Sequence, residues 1–78
     1  MTKIKLSECK TNKTYLVCDL KEENKEIILQ LKNLGFSVGE KVELIKSNYR
    51  KKSFLVKVMG INYAMDKSIC DKILVKYE

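Results

Sequence analysis

The stretch LKNLGFSVGEKVELI, residues 31–45, decides the fold that this sequence predicts. It begins as the last turns of an amphipathic helix predicted over 22–34, because apolar residues recur there at helical spacing. That stripe consists of Ile27, Ile28, Leu31 and Leu34. Gly35 follows directly, where a helix end favours a left-handed residue, and Phe36 can then fold back over the last turn. The stretch therefore predicts a sharply ended helix.

The second half of the stretch predicts a turn and a strand. Gly39 lies within Ser37–Glu40 at the position where a type II turn requires a positive φ. Residues 41–46 then alternate apolar and polar side chains, which indicates a half-buried strand. A third glycine, Gly60, predicts another turn further along the chain. The three glycines are thus assigned to turns and to a helix cap.

The remaining sequence predicts short strands on either side of this junction. Predicted strands cover 14–20, 54–59, 63–65 and 73–77, with a basic loop at 48–53 and a helical turn at 66–71. Together they predict a mostly β protein: an SH3-like small barrel of about five strands with one α-helix and a short helical turn near the C-terminus.

Length and charge bound the organisation of the chain. Its 78 residues predict a single domain over 1–78. Apolar runs such as 15–18 and 27–29 reach at most four residues, far below the roughly 20 of a membrane span, and the N-terminus lacks a signal-peptide core. We therefore expect a cytoplasmic location. The net charge of +6 favours acidic partners, but by itself it does not choose between nucleic acid, an anionic membrane and an acidic protein.

Residues that could perform chemistry are sparse. Cys9, Cys18 and Cys70 form no C-x-x-C pair, and the chain contains no histidine to share a metal or to act as a general base. Structural packing explains the cysteines more simply than a metal or redox role. We expect no catalytic residue, no metal site and no cofactor, and therefore no enzyme.

Two blocks of this sequence resemble a known family. The pattern L-x-x-L-G-F-x-x-G-x-x-V-x-L-I over 31–45 and the run VMGINYAMDKSICDKILV over 58–75 are similar to the signature of the ferrous iron transport protein A (FeoA) family. The resemblance covers nearly the whole chain. It implies a cytoplasmic SH3-like domain, present in the cytoplasm or peripherally at the inner face of the membrane. A related module also occurs fused to metal-dependent transcriptional repressors, so the fold alone does not fix the function.

The resemblance also implies a partner. This is the cytoplasmic domain of a membrane ferrous iron permease (FeoB), which carries its own GTP-binding domain. A non-enzymatic accessory protein that docks there and supports Fe²⁺ transport is the first hypothesis. The alternative is a basic SH3-like nucleic-acid-binding or regulatory module, although no nucleic-acid partner is expected. Weak homo-oligomerisation through a strand edge is a third possibility.

Two segments are candidates for partner contacts. The first is Tyr49, Arg50, Lys51 and Lys52 in the basic loop, because Tyr and Arg are enriched at interface hot spots. The second is Leu34 and Phe36 on either side of Gly35, which form either part of the core or an apolar docking patch. A solvated hairpin tip is an equally good interpretation of the first segment.

Overall fold

The computed structural model describes residues 3–78, so residues 1–2 of the predicted domain lie outside the described residues. It shows one antiparallel sheet of six strands in the order β1-β6-β2-β3-β4-β5, curved into a small SH3-like barrel. The strands are β1 (Ile4–Lys5), β2 (Thr14–Leu20), β3 (Lys41–Asn48), β4 (Ser53–Val58), β5 (Ile61–Asp66) and β6 (Ile73–Tyr77). A 3₁₀ helix (Leu6–Glu8), α1 (Lys25–Leu34) and α2 (Lys67–Cys70) complete the fold.

The predicted fold class is confirmed, with one strand more than expected. The additional strand is β1, which pairs with β6 through Ile4 opposite Val75 and Lys5 opposite Leu74. A strand of only two residues is too short to show an alternation of apolar and polar side chains in the sequence. β1 forms because β6 lies beside it and pairs with it. The short helical turn predicted near the C-terminus is α2.

The helix begins three residues later than the sequence pattern predicts. Asn24 caps it: the side-chain oxygen accepts hydrogen bonds from the backbone N–H groups of Glu26 at 2.9 Å and Ile27 at 3.4 Å. Glu22 is instead turned toward the residue that precedes β6: its carboxylate lies 2.9 Å from the Lys72 ammonium. The acidic residue predicted to open the helix therefore ties the preceding loop to the barrel.

The other end of the helix is closed by two backbone hydrogen bonds. Gly35 has a φ of 112°, and its N–H donates to the Lys32 carbonyl at 3.1 Å. The N–H of Phe36 donates to the Leu31 carbonyl at 2.9 Å. This pair of bonds is a Schellman motif, which needs a left-handed residue at the glycine position. It turns the chain so that Phe36 is fully buried.

The turn that follows is hydrogen-bonded to the barrel. Gly39 has a φ of 93°, and the Glu40 N–H donates to the Ser37 carbonyl at 3.0 Å. Gly39 also donates its N–H to the Val17 carbonyl at 2.8 Å, while the Val17 N–H donates to the Glu40 carbonyl at 2.9 Å. The turn is thus fixed against the middle of β2.

Two loop boundaries differ from the prediction because strand pairing extends further than the apolar pattern. β4 ends at Val58 and β5 begins at Ile61, so Met59 and Gly60 alone form the connection. Both have positive φ, 52° and 78°, as a type I′ hairpin turn requires. Likewise Asn48 pairs with Ser53, which shortens the basic loop to 49–52.

The core lies between the inner faces of the strands and α1. Its fully buried large side chains come from β2, β3, β4 and β6, the 3₁₀ helix and the residue after Gly35; they include Tyr15, Val17, Val42, Leu44, Phe54, Val56, Val58, Ile73, Val75, Leu6 and Phe36. From α1 only Leu31 is buried, so the rest of its apolar stripe is half-covered.

We expect Gly35→Ala to lower the free energy of unfolding by about 2 kcal/mol and Gly39→Ala by about 1 kcal/mol. Both substitutions place a Cβ at positive φ. At Gly35 that Cβ would also lie 2.7 Å from Met59 Sδ and 3.2 Å from Val58 Cγ2, whereas at Gly39 it would meet nothing within 4 Å. Urea denaturation of the two variants measures the difference. Equal losses would contradict the importance of the close approach at Gly35.

Candidate functional site

A cationic hairpin tip, residues Tyr49–Lys52, projects from the β3–β4 connection. Arg50, Lys51 and Lys52 are all exposed, and within residues 3–78 none of them forms an ion pair. The loop has a defined conformation, because the Asn48 side-chain oxygen accepts a hydrogen bond from the Lys51 N–H at 3.2 Å. The hairpin tip therefore presents three uncompensated positive charges from an ordered turn.

Tyr49 is both exposed and anchored. It is 59% exposed, yet its hydroxyl donates a hydrogen bond of 2.9 Å to the Ser7 carbonyl. Its ring lies edge-on to the buried Phe54, with ring centroids 5.4 Å apart and an interplanar angle of 89°. The side chain is held before any partner arrives, so a partner would not have to immobilise it.

A polar network of Ser7, Lys67 and Asp71 lies beneath the hairpin tip. The buried Ser7 hydroxyl donates to Asp71 Oδ1, and the Lys67 ammonium lies 2.9 Å from Asp71 Oδ2. The Lys67 backbone N–H donates to the Lys52 carbonyl at 2.9 Å, which fixes the end of the tip. The network joins the 3₁₀ helix, α2 and the β3–β4 hairpin.

The hydrogen bonds of this network shift the pKa values of Asp71 and Lys67. The hydrogen bond from Ser7, followed by that from Lys67, lowers the pKa of the Asp71 carboxyl below its ordinary value. The same Asp71 raises the pKa of Lys67. Asp71 is therefore ionised, and it neutralises Lys67 while leaving the three tip cations unpaired.

The fold separates the two residues of the second predicted contact segment, Leu34 and Phe36. Phe36 is fully buried, so its inclusion among the partner contacts was wrong: the Schellman turn directs the ring into the core. Leu34 is half-buried and lines a groove between α1 and β5, hereafter the α1–β5 groove. The structure thus retains Leu34 at the surface and removes Phe36 from it.

Gly39 and Gly60 lie beside another surface depression. This hollow has a volume of about 460 Å³ and is lined mainly by polar and charged side chains, among them Glu40, Lys41 and Lys57. Its apolar lining is limited to the exposed Met59 and the buried Val42. We regard the two glycines there as turn residues.

The cysteines are packed inside the fold or bonded to its backbone. Burial raises the pKa of the Cys9 and Cys70 thiols to about 12, so both stay protonated at neutral pH. The half-buried Cys18 thiol donates to the Leu74 carbonyl at 3.3 Å. Among residues 3–78, no three His, Cys, Asp or Glu side chains come together as a potential metal site.

Sequence reasoning did not find the polar network. Lys67 and Asp71 have the i,i+4 spacing of a helical ion pair, which is a readable signal. Ser7 has no such signal in the sequence, because it lies 64 residues from Asp71. The two residues come together through the β1–β6 pairing.

A protein-family model matches almost the whole chain. The sequence profile described as FeoA domain matches residues 4–77. No curated protein matches the chain by sequence. None of the helices in residues 3–78 has the length and apolar character needed to cross a membrane.

Several solved structures share the fold. An iron uptake regulatory protein (FeoA) is 17% identical over 97% of both chains, with a TM-score of 0.82. Iron(II) transport protein A from Clostridium thermocellum is 22% identical, with a TM-score of 0.85 over 95% of this chain and 45% of its own. A manganese-dependent transcriptional repressor is 12% identical, with a TM-score of 0.88 over 97% of this chain and 42% of its own. The chain thus spans less than half the length of the last two.

We expect the polar network to make stability depend on acid pH. Because folding lowers the pKa of Asp71, the stabilisation is fully present above the unfolded pKa, whose ordinary value is 3.8, and is lost as pH falls through the folded pKa. Asp71→Asn should therefore be less stable than the parent at pH 7, and the gap should shrink as the pH falls below about 4. Thermal melts between pH 2.5 and 7 measure the gap. A gap independent of pH would contradict this assignment.

Proposed function

The chain belongs to the FeoA domain family, and from this membership we propose that it is a non-enzymatic adaptor of ferrous iron uptake. The partner proposed is the cytoplasmic domain of a membrane ferrous iron permease that carries a GTP-binding domain. The protein would then act in the cytoplasm, in part at the inner face of the membrane. The observation that carries this proposal is the family match over 4–77.

Two features support an adaptor over an enzyme. The chain contains no histidine, the side chain used most often for acid–base catalysis near neutral pH. Its two buried thiols have pKa values of about 12, so they do not supply a thiolate nucleophile. We therefore assign the exposed surface of the protein a binding role and no catalytic role.

The hairpin tip is the contact surface that we propose for the permease. Three unpaired cations attract an acidic surface, and the anchored Tyr49 ring offers a rigid aromatic contact between them and the barrel. Such a surface gives orientation and a fast association rate without a reactive group.

We expect reversal of the tip charges to weaken binding to the permease's cytoplasmic domain at least tenfold. The variant is Arg50→Glu/Lys51→Glu/Lys52→Glu, in which attraction to an acidic surface becomes repulsion. Its matched control is Lys13→Glu/Lys25→Glu/Lys57→Glu, which makes the same charge change at exposed lysines on other parts of the surface. Pull-down and titration with the purified domain measure both.

The control variant should bind within about twofold of the parent, because long-range charge effects are screened at physiological salt. The adaptor proposal would be contradicted if the parent did not bind the domain. It would also be contradicted if a strain lacking the protein took up ferrous iron normally. Equal weakening by both triple variants would remove the hairpin tip as its site.

The same unpaired cations favour one alternative, a nucleic-acid-binding module. Three tip cations placed on duplex phosphates would lower log K by about 2.7 for each tenfold rise in salt. The adaptor proposal instead expects no mobility shift with duplex DNA or RNA even at 20 mM salt. A shift that disappears steeply with salt and depends on Arg50, Lys51 and Lys52 would favour the alternative.

A further inference from the structure

Strand β5 is an edge of the sheet with no protecting charge in its first five residues. It pairs with β4 along its whole length and with no other strand of the part that the structure describes. No turn, loop or cap hydrogen bond within residues 3–78 reaches the backbone of residues 61–65. Edge strands usually carry charges that prevent pairing with another chain. Residues 61–65, INYAM, carry none, although a third of this chain is charged.

An apolar channel runs beside this edge. The α1–β5 groove has a volume of about 370 Å³. Its lining residues come from α1, β5 and α2: Ile27, Gln30, Leu31, Leu34, Tyr63, Ala64, Met65, Asp66 and Ile69. Ile27, Leu34, Tyr63 and Ile69 pack against the core and remain only half-buried. A free strand edge and a partly covered apolar wall therefore lie side by side.

One end of the groove opens beside the hairpin tip. Asp66, the last residue of β5, pairs with Ser53, which directly follows the tip. The next residue, Lys67, is hydrogen-bonded through its backbone to Lys52. A chain lying along β5 would thus leave the apolar groove at the exposed Asp66 and then meet the three tip cations, which outnumber that one carboxylate.

We propose that the groove and the hairpin tip form one docking surface for an extended acidic peptide segment of a protein partner. The segment adds as a strand to the free edge of β5 and places aliphatic side chains against Ile27, Leu34 and Ile69. Its carboxylates lie on Arg50, Lys51 and Lys52. Antiparallel pairing, the commoner kind, puts those carboxylates at the N-terminal end of the segment.

Charge complementarity selects this occupant. The tip offers three positive charges without partners, and β5 offers main-chain groups that any extended segment can pair with. A second copy of this chain is less well matched, because two chains of charge +6 repel each other. The inference rests on the proposed function, since the partner's segment would belong to the permease's cytoplasmic domain.

The first test uses a defined probe. It is a fluorescein-labelled peptide in which three glutamates precede five alternating valine and threonine residues; the comparison peptide has three lysines in place of the glutamates. We expect the acidic peptide to bind at least tenfold more tightly. Amide exchange measured by NMR should slow at alternate residues of 61–65, because a new strand pairs only with the outward-facing backbone groups.

The second test distinguishes binding in the groove from binding elsewhere on the surface. Ala64→Lys places a charge on the exposed, groove-lining edge of β5 and should weaken both the acidic peptide and the permease domain at least fivefold. Leu29→Lys adds the same charge at a residue of α1 that is 60% exposed and outside the groove, and it should leave both affinities unchanged. Thermal melts verify that both variants are folded.

The outcomes distinguish this inference from the proposed function. If the parent binds the permease domain but Ala64→Lys binds it equally well, the docking surface is wrong and the adaptor function stands. If the acidic peptide slows exchange in β5 while the permease domain does not bind, the surface stands and the partner is wrong. Concentration-dependent protection of β5 in the protein alone, with a dimer in sedimentation, would assign the edge to a second copy and overturn the inference.

Discussion

The position of the helix on the barrel depends on one backbone reversal at Gly35. Its φ of 112° allows the Schellman hydrogen bonds that end α1 and send Phe36 into the core. The missing side chain also leaves room for Met59, whose Sδ lies where a Cβ would crowd it. One residue thus joins three elements: the end of the helix, the core beneath it and the β4–β5 turn. A side chain at this residue would disturb all three together.

The groove follows from the way the helix is held. Leu31 near its C-terminal end is buried, and the Glu22–Lys72 ion pair ties the loop before its N-terminal end to the turn that precedes β6. On the side that faces β5 the helix lines the groove without closing it, so Ile27 and Leu34 stay half-buried. This half-covered apolar surface would gain further burial from a partner that filled the groove.

Local signals in the sequence were enough to predict most of the fold. The glycine after the apolar stripe indicated where α1 ends, and alternation in residues 54–58 indicated the buried face of β4. The errors occurred where distant residues decide the outcome. Glu22 lies outside the helix and pairs with Lys72, the residue before β6, and β1 forms because β6 is beside it. No pattern in the sequence around Ser7 shows that it meets Asp71.

The two parts of the surface have different physical properties, and together they suit an adaptor. The hairpin tip is held by Tyr49 on the Ser7 carbonyl and by Lys67 on the Lys52 carbonyl, so its charges have fixed positions at little further entropy cost. Exposed charges chiefly raise the rate of association, whereas a desolvated apolar contact chiefly slows dissociation. A cationic tip next to an apolar edge can therefore capture an acidic segment quickly and retain it. It can do so without any residue that reacts, which is consistent with a chain whose buried thiols stay protonated.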